Sequence, residues 1–286
     1  MDDTENDDGS IEGAIVRNLF CTESDSEEET TTNNHETTND NDKTQQQPVF
    51  RKFRVMDIWL EEQCIGGSIA QRLWPAAEYL ANFCMKQWNE NHDSSSMNVG
   101  GNLFFPTSSS TTILELGAGL GLTGLQLATQ FPCRLILTDL PDAMPLLRRN
   151  VQLNQEAWRQ RGSNVSTRVL EWGKPVENDI FAEISDNNLL ILASDCVYWE
   201  SLYEPLERTL AQLLSSSLQQ QPSRFALLAS VRRWKRDNTF FHQLGKKTKT
   251  KTHSLICTCV HGHVDVNDDD GKRQVMKIHH VQWKAK

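Results

Sequence analysis

The sequence contains no long hydrophobic run and no internal repeat. A membrane-spanning helix needs about 18 or more consecutive apolar residues, and no stretch of the chain approaches that length. The acidic start of the chain is not followed by an apolar segment, so we expect no secretory signal. The seven cysteines are an odd number scattered through apolar segments, which is typical of a reducing compartment. We therefore expect an intracellular protein of the cytoplasm, with the nucleus as a second location.

Charge is distributed unevenly along the chain, whose formal net charge is -9. Residues 1–47 contain 14 acidic and 2 basic residues, whereas the remainder contains 24 acidic and 27 basic residues. The first segment has too few apolar residues to offset the entropy of an ordered chain, and we expect residues 1–47 to be a disordered acidic tail. Residues 48–286 are numerous enough for one α/β domain with a sizeable core.

The most informative motif is the stretch TTILELGAGLGLTGLQLA at residues 111–128. Its β-branched and apolar beginning predicts a buried strand that ends near Glu115. Glycines then occur at 117, 119, 121 and 124, and an apolar helix pattern follows. Glycine allows a ligand to come close to the backbone and permits the sharp turn. The motif therefore predicts a strand, turn and helix that hold a nucleoside-containing cofactor.

Two cofactors fit this turn. Residues 119–124 satisfy G-x-G-x-x-G, the dinucleotide pattern, and Asp139 follows a second predicted strand at 134–138. Asp139 can hold the ribose diol of either NAD or S-adenosylmethionine. Glu115 favours the methyl donor, because a pyrophosphate requires a helix N-terminus without a nearby carboxylate. The positively charged ammonium and sulfonium groups of S-adenosylmethionine tolerate or prefer a nearby carboxylate.

The rest of the chain alternates between strand and helix patterns. Residues 50–60 predict a short strand or hairpin, residues 68–89 a helix bent at Pro75, and a further helix starts from Pro141. The continuous apolar run at 188–194 predicts a buried central parallel strand. Two alternating segments finish the chain and predict an antiparallel hairpin; they lie at residues 254–264 and 274–283. This order resembles the α/β sheet of class I S-adenosylmethionine-dependent methyltransferases, which is Rossmann-like, seven-stranded and closed by an antiparallel C-terminal hairpin.

Four further features carry a more specific resemblance. In chain order they are GSIAQRLWPAAEYLANF at 67–83, the strand-end Asp139, Trp172 in LEWG, and ASDCVYW at 193–199. Together they resemble the seven-β-strand protein lysine methyltransferases, also called methyltransferase family 16. The resemblance covers roughly residues 50–284. It implies that residues 48–286 form a class I methyltransferase domain that methylates lysines of non-histone proteins, such as Hsp70-type chaperones, valosin-containing-type ATPases or translation elongation factors.

The resemblance also implies roles for individual residues. Asp195 and Tyr198 would be catalytic, with Asp195 at the carboxyl end of a central strand, where open α/β sheets bind ligands. Trp74 would border the methionine or ribose portion of the cofactor, and Trp172 would stack on its adenine. The complete set of expected cofactor-binding residues is Trp74, Glu115, Gly117, Ala118, Gly119, Gly121, Asp139, Trp172 and Ser194.

Other interpretations remain open at this level. Asp195 could instead cap the helix that starts near Glu200. The chain could methylate arginine or a small molecule on the same fold, bind NAD as a dehydrogenase, or keep the cofactor site without activity. Methyltransferases of nucleobase amino groups usually carry Asn-Pro-Pro-Tyr where this chain has Asp-Cys-Val-Tyr, which disfavours such a substrate. We expect a protein partner that presents a lysine, no membrane or nucleic-acid partner, and a monomer.

A possible metal site and a basic cluster have simpler explanations. Cys257, Cys259, His261 and His263 alternate along one predicted strand, and a strict period of two would place all four on one face. Residues two apart are separated by about 6.6 Å, so they cannot surround one zinc ion at about 2.0–2.3 Å. We therefore expect no metal.

The basic run at 246–251 lacks aromatic residues, so we expect a solvated loop rather than an RNA-binding surface.

The composition of the acidic tail generates a first prediction. Deletion of residues 1–47 should leave both the melting temperature and the affinity for S-adenosylhomocysteine unchanged, because a segment this poor in apolar residues contributes no core. Thermal unfolding and calorimetric titration of the truncated and full-length proteins test this. A large fall in the melting temperature would show that the apolar residues near 11–20 pack on the domain.

Overall fold

A computed structural model describes residues 48–64, 67–92, 111–184, 188–215, 224–232, 237–244, 255–265 and 274–283. The predicted acidic tail at 1–47 and the basic run at 246–251 lie outside these ranges. The strands are β1 (Phe50–Val55), β2 (Ile58–Gln63), β3 (Thr111–Leu116), β4 (Arg134–Asp139), β5 (Asn164–Val169), β6 (Asn188–Ser194), β7 (Arg224–Arg232), β8 (Leu255–Asp265) and β9 (Gln274–Trp283). The α-helices are α1 (Pro75–His92), α2 (Leu122–Gln130), α3 (Met144–Leu153), α4 (Gln155–Gln160), α5 (Asn178–Ile184), α6 (Tyr203–Leu214) and α7 (Asp237–Leu244).

Seven strands form one sheet in the order β5-β4-β3-β6-β7-β9-β8. The pairs from β5 to β7 are parallel, whereas β9 runs antiparallel to both β7 and β8. The predicted fold class is thereby confirmed. The apolar run of β6 is buried on both faces of the sheet because β6 lies between β3 and β7 with helices on either side.

Alternate residues of the strands face two separate apolar layers. Ile113 and Leu135 pack with helices α1 to α4, while Leu114 and Ile136 pack with α5, α6 and α7. This alternation follows from the pleat of a strand, in which successive side chains point to opposite faces. No helix within the described ranges is long and apolar enough to cross a membrane.

The connections place a crevice at the carboxyl edge of the sheet. After β3 the chain moves outward to β4 and β5, and it then returns to β6 on the other side of β3. Open α/β sheets bind ligands at such a reversal of strand order, outside the carboxyl ends of the strands. The turn after β3, Asp139 at the end of β4 and Ser194 at the end of β6 therefore meet at one edge.

Two predicted helices begin later than the sequence pattern indicated. Residues 69–71 form a short 3-10 turn, the chain becomes extended at Arg72, and α1 starts at Pro75. The bent helix predicted from residue 68 is wrong because proline has no N–H and fits the first helical position rather than the interior. Pro141 likewise lies in a turn, in which Met144 N donates to its carbonyl, and α3 begins at Met144.

The N-terminal and C-terminal hairpins are both present, but the last one is irregular. Strands β1 and β2 pair antiparallel from Phe50 with Gln63 to Val55 with Ile58. In β8 a bulge interrupts the pairing with β9 between Cys259 and His261.

The bulge corrects the expected placement of the cysteine and histidine side chains. Cys257 packs on the layer that contains α6 and α7, whereas the ring of His261 stacks on Phe83 of α1 on the other side of the sheet, with centroids 5.3 Å apart. An extra residue in one strand reverses the faces of those that follow it. Cys257 and His261 therefore do not share a face, and the described residues contain no cluster of three or more metal-ligating groups.

Candidate functional site

The turn between β3 and α2 has glycine at two positions where a side chain would be strained or crowded. Gly117 and Gly119 have φ values of 57° and 54°, in the left-handed region that glycine adopts without strain. A Cβ on Gly117 would lie 2.9 Å from Trp172 Cζ2 and 3.0 Å from Cys196 Sγ. A Cβ on Gly119 would lie 3.1 Å from the carbonyl oxygen of Ala70. Both the backbone angles and the close neighbours therefore require glycine.

Asp139 fixes this turn to the end of β4. Its Oδ2 accepts a hydrogen bond of 2.7 Å from Gly119 N, and its Oδ1 accepts one of 2.7 Å from Leu140 N. Ala118 N also donates to the carbonyl of Thr138 at 2.9 Å. Burial raises the pKa of Asp139, while the two backbone donors act in the opposite direction. Each carboxylate oxygen can accept a further hydrogen bond, so Asp139 can still receive the hydroxyl groups of a ribose.

Glu115 lies beneath the turn rather than in the crevice. Its side chain is buried, and Oε2 accepts a hydrogen bond of 2.9 Å from Gly124 N in the first turn of α2. Burial raises the pKa of Glu115 to about 8, against the lowering effect of that hydrogen bond. Glu115 therefore satisfies a backbone donor at the N-terminus of α2 from the interior of the protein.

A cavity of about 340 Å³ opens between the turn and the strand ends. Most of the predicted site residues line it: Trp74, Gly117, Ala118, Gly119, Asp139, Trp172, Ser194, Asp195 and Tyr198. Glu115 and Gly121 are not among its lining residues. A Cβ on Gly121 would meet Leu147 Cδ1 at 2.9 Å, so this glycine faces the core. Glu115 and Gly121 would thus act on a ligand through the shape of the turn.

Several lining residues were not predicted. Cys196 lies between the two expected catalytic residues, and Leu140 and Leu170 follow the ends of β4 and β5. Their proximity to predicted residues in the sequence could have identified them. Arg72 follows one 3-10 turn and Leu202 ends another, and both reach the cavity through the tertiary fold, for which the sequence contains no local signal.

Asp195 has a left-handed backbone directly after β6. Its φ is 56°, which costs energy for any residue other than glycine, although aspartate tolerates it better than most. Asp195 N donates to the carbonyl of Ala229 in β7 at 2.9 Å. The N-cap of the following 3-10 turn at Glu200–Leu202 is Trp199. The alternative interpretation of Asp195 as a helix cap is therefore wrong.

Cys196 and Tyr198 follow Asp195 in the same segment, and both side chains stay protonated. Cys196 Sγ donates to the carbonyl of Leu116 at 3.3 Å, and burial raises the pKa of its thiol, which stays protonated. Burial, followed by the neighbouring Cys196, Asp139 and Asp195, raises the pKa of Tyr198 to about 12. Tyr198 is therefore a neutral phenol at physiological pH. Its ring lies 5.2 Å from that of Trp199, which is half-exposed beside the cavity wall.

The cavity has the properties that S-adenosylmethionine requires. The backbone around Gly117 and Gly119 leaves room for a ligand to approach, and Asp139 presents a carboxylate for a ribose. The charged lining residues are Asp139, Glu171, Asp195 and Arg72, an acidic excess that suits a cationic cofactor. The fold and the site together define a class I S-adenosylmethionine-dependent methyltransferase.

Comparison with known proteins identifies the family within this class. The family model described as "Lysine methyltransferase" matches residues 52–247, so the chain belongs to that family. The protein-lysine N-methyltransferase EFM6 of Saccharomyces cerevisiae is 30% identical over 183 residues, covering 60% of this chain and 68% of EFM6. Protein N-lysine methyltransferase METTL21A of Xenopus tropicalis is 34% identical over 134 residues, covering 47% of this chain and 55% of METTL21A.

Other matches cover a smaller share of the related protein or have a lower sequence identity. The chain spans 43% and 30% of the length of two Schizosaccharomyces pombe relatives, the second of which is the protein-lysine N-methyltransferase rrg1. Among solved structures, Pyrococcus horikoshii TYW2 in complex with MeSAdo matches with 14% identity and a TM-score of 0.45, covering 82% of this chain and 72% of that chain.

The geometry of Asp139 generates a prediction on cofactor binding. Asp139→Ala should weaken the binding of S-adenosylhomocysteine by about 1.5–3 kcal/mol, because charge-assisted hydrogen bonds to the ribose are lost. Calorimetric titration measures this, with Asp142→Ala as the control, since Asp142 is exposed and does not line the cavity. Binding of NAD without binding of S-adenosylhomocysteine would contradict the assignment.

The raised pKa of Glu115 generates a prediction on pH. The folded state holds a proton on Glu115 up to about pH 8, whereas an unfolded glutamic acid releases it near pH 4.5. The contribution of this group to stability is therefore complete below pH 4.5 and is lost as the pH rises through 8. Glu115→Gln keeps an acceptor for Gly124 N and removes the titration.

The melting temperatures of the ligand-free wild type and Glu115→Gln should therefore differ by a pH-dependent amount. Between pH 5 and pH 9 the free energy of unfolding of Glu115→Gln should rise relative to that of the wild type by on the order of a few kcal/mol. Thermal unfolding across this range measures the difference. Parallel pH profiles of the two proteins would show that Glu115 is ionised in the folded state.

Proposed function

We propose that the protein transfers a methyl group from S-adenosylmethionine to the side-chain amine of a lysine in another, non-histone protein. The observation that carries this proposal is the position of Asp195, whose left-handed backbone lies at the end of β6 beside the cavity that the glycine turn and Asp139 line. Backbone strain at the edge of a ligand cavity is typical of residues retained for function.

The order of the strands suggests how the cofactor would lie. The ends of β5, β4, β3 and β6 follow one another along the sheet edge. Trp172 and Leu170 beyond β5 would hold the adenine, and Asp139 at the end of β4 would hold the ribose. The turn after β3, together with Trp74, would hold the methionine portion. This arrangement leaves the reacting end of the cofactor on the side of Asp195 and Tyr198.

The acceptor should be a cation before it reacts. Asp195 is the carboxylate left for the acceptor, because Asp139 would hold the ribose and Glu171 pairs with Lys174 at 2.9 Å. Among the described residues, one guanidinium lines the cavity, that of Arg72. Arg72 also donates a hydrogen bond of 2.6 Å to the carbonyl of Cys64, which directs part of its guanidinium to the protein. An acidic cavity attracts the ammonium of a lysine side chain and disfavours an anionic substrate.

The chemistry requires deprotonation of that lysine, because the nitrogen lone pair must attack. When bound, S-adenosylmethionine supplies an electrophilic methyl group on a positively charged sulfur. A free lysine has a pKa near 10.4, and a nearby positive charge lowers it. Asp195 would hold the incoming ammonium and orient the amine after its proton passes to water. Tyr198 would position the nitrogen through its hydroxyl or ring face. Because its pKa is about 12, Tyr198 is not ionised at physiological pH and would not serve as the base.

The substrate would dock on the outer wall of the cavity. Tyr198 and Leu202 line the cavity, while Trp199 between them is half-exposed and offers an aromatic surface to the segment that carries the lysine. The resemblance to family 16 indicates a chaperone, an AAA ATPase or an elongation factor as the substrate. We further propose that the protein acts as a monomer in the cytoplasm on a protein substrate, without a membrane or nucleic-acid partner.

The direct test is methyl transfer in an extract from cells that lack this protein. The purified full-length protein, incubated with radiolabelled S-adenosylmethionine and the extract, should label a small number of protein bands. Mass spectrometry of each band should locate the methyl group on lysine. Labelling confined to arginine, to nucleic acid or to a small molecule would overturn the proposal, and so would the absence of any transfer.

Replacements of Asp195 test its role in the reaction. Asp195→Asn keeps the size of the side chain and tolerates a left-handed backbone, but it removes the charge. We expect turnover to fall by about a hundredfold or more, while S-adenosylhomocysteine binds as to the wild type. Tyr198→Phe should lose less activity than Tyr198→Ala. Full activity of Asp195→Asn on the labelled substrate would contradict the catalytic role.

A further inference from the structure

The hairpin of β1 and β2 is attached to α3 by two buried asparagines one helical turn apart. Asn150 Oδ1 accepts a hydrogen bond of 2.7 Å from Glu61 N, and Asn150 Nδ2 donates to Glu61 O at 3.1 Å. Asn154 Oδ1 accepts one of 2.9 Å from Trp59 N, and Asn154 Nδ2 donates to Trp59 O at 2.8 Å. The two side-chain amides thus satisfy the free backbone edge of β2 as a neighbouring strand would.

The two asparagines differ in their third hydrogen bond. Asn150 Nδ2 also donates to the carbonyl of Leu120 at 3.1 Å, in the glycine turn between Gly119 and Gly121. Asn154, the residue that follows α3, instead donates from Nδ2 to the carbonyl of Asn150 at 2.8 Å. A single buried amide of Asn150 therefore joins the hairpin to the turn that holds the cofactor, whereas Asn154 joins the hairpin only to the helix.

Two further contacts tie the end of the hairpin to the cavity wall. Glu62 Oε2 accepts a hydrogen bond of 3.2 Å from Leu73 N, and Arg72 donates to the carbonyl of Cys64 just beyond β2. Both Arg72 and Leu73 line the cavity. Ile58 and Leu60 of β2 are fully buried in the core layer that contains α2 and α3. The hairpin is therefore attached both to the glycine turn, through Asn150, and to the wall of the cavity, through Arg72 and Leu73.

We infer that Asn150 is a positioning residue for cofactor binding, and that docking of the N-terminal hairpin and binding of the cofactor stabilise each other through its side chain. A buried carbonyl such as that of Leu120 has a strong requirement for a donor, so loss of the Asn150 amide would let the turn relax. Coupling between two sites is reciprocal, and cofactor binding should therefore hold the hairpin more firmly on α3. The inference depends on S-adenosylmethionine as the cofactor and not on lysine as the acceptor.

The two asparagines provide a matched pair of variants. Asn150→Ala in α3 and Asn154→Ala at its C-cap each remove three side-chain hydrogen bonds, two of them to the hairpin. We expect similar falls in melting temperature for both. The dissociation constant for S-adenosylhomocysteine should rise about tenfold in Asn150→Ala and by less than about threefold in Asn154→Ala. Equal weakening in the two variants, or none in Asn150→Ala, would overturn the inference.

Hydrogen exchange of the wild-type protein tests the coupling even if Asn150→Ala fails to fold. Saturating S-adenosylhomocysteine should slow exchange at the amides of Trp59 and Glu61 by about tenfold more than at the amides of β8, a distant edge strand. The same slowing at both places would reflect ligand stabilisation of the whole domain and would contradict a specific coupling between the hairpin and the cofactor site.

Discussion

The hydrogen bond from Gly119 N to Asp139 Oδ2 is the interaction on which the site depends. It joins the turn after β3 to the end of β4 and fixes the backbone that faces the cavity. Asp139 is buried, and burial raises its pKa, while the two backbone donors offset only part of this desolvation. Beneath it, Glu115 occupies the N-terminus of α2 in the same manner. Two carboxyl groups thus fix the conformation of the turn, Asp139 from the end of β4 and Glu115 from the interior of the protein.

The fold could be predicted where the sequence pattern and the tertiary environment agree. The bounds predicted for β6, Asn188–Ser194, match the structure because a fully buried strand has an unbroken apolar run. The start of α1 was wrong because apolar periodicity continues through residues 69–74, although the chain is extended at Arg72 and Pro75 begins a new helix. The bulge in β8 was also missed, since nothing in a local pattern of alternation signals one extra residue.

The site could be predicted wherever a residue follows a recognisable strand. Asp139 is the last residue of β4, and Trp172, Asp195 and Tyr198 lie within four residues of the ends of β5 and β6; all four line one cavity. The sequence could not show that Glu115 and Gly121 face the protein interior, because the direction of a side chain in a turn depends on backbone angles. It also could not show the link from Asn150 to Leu120, which joins residues 30 positions apart. Long-range polar contacts of this kind have no local pattern.

A crystal structure of the protein with S-adenosylhomocysteine would test the central claim most directly, namely that one cavity holds the methyl donor and presents its reactive end to Asp195. We expect the ribose hydroxyls to lie within about 3 Å of the Asp139 carboxylate. The adenine should lie beside Trp172, and the sulfur should face Asp195 and Tyr198. A ligand bound in the reverse direction, with its sulfur towards Trp172, or bound outside this cavity, would contradict the account.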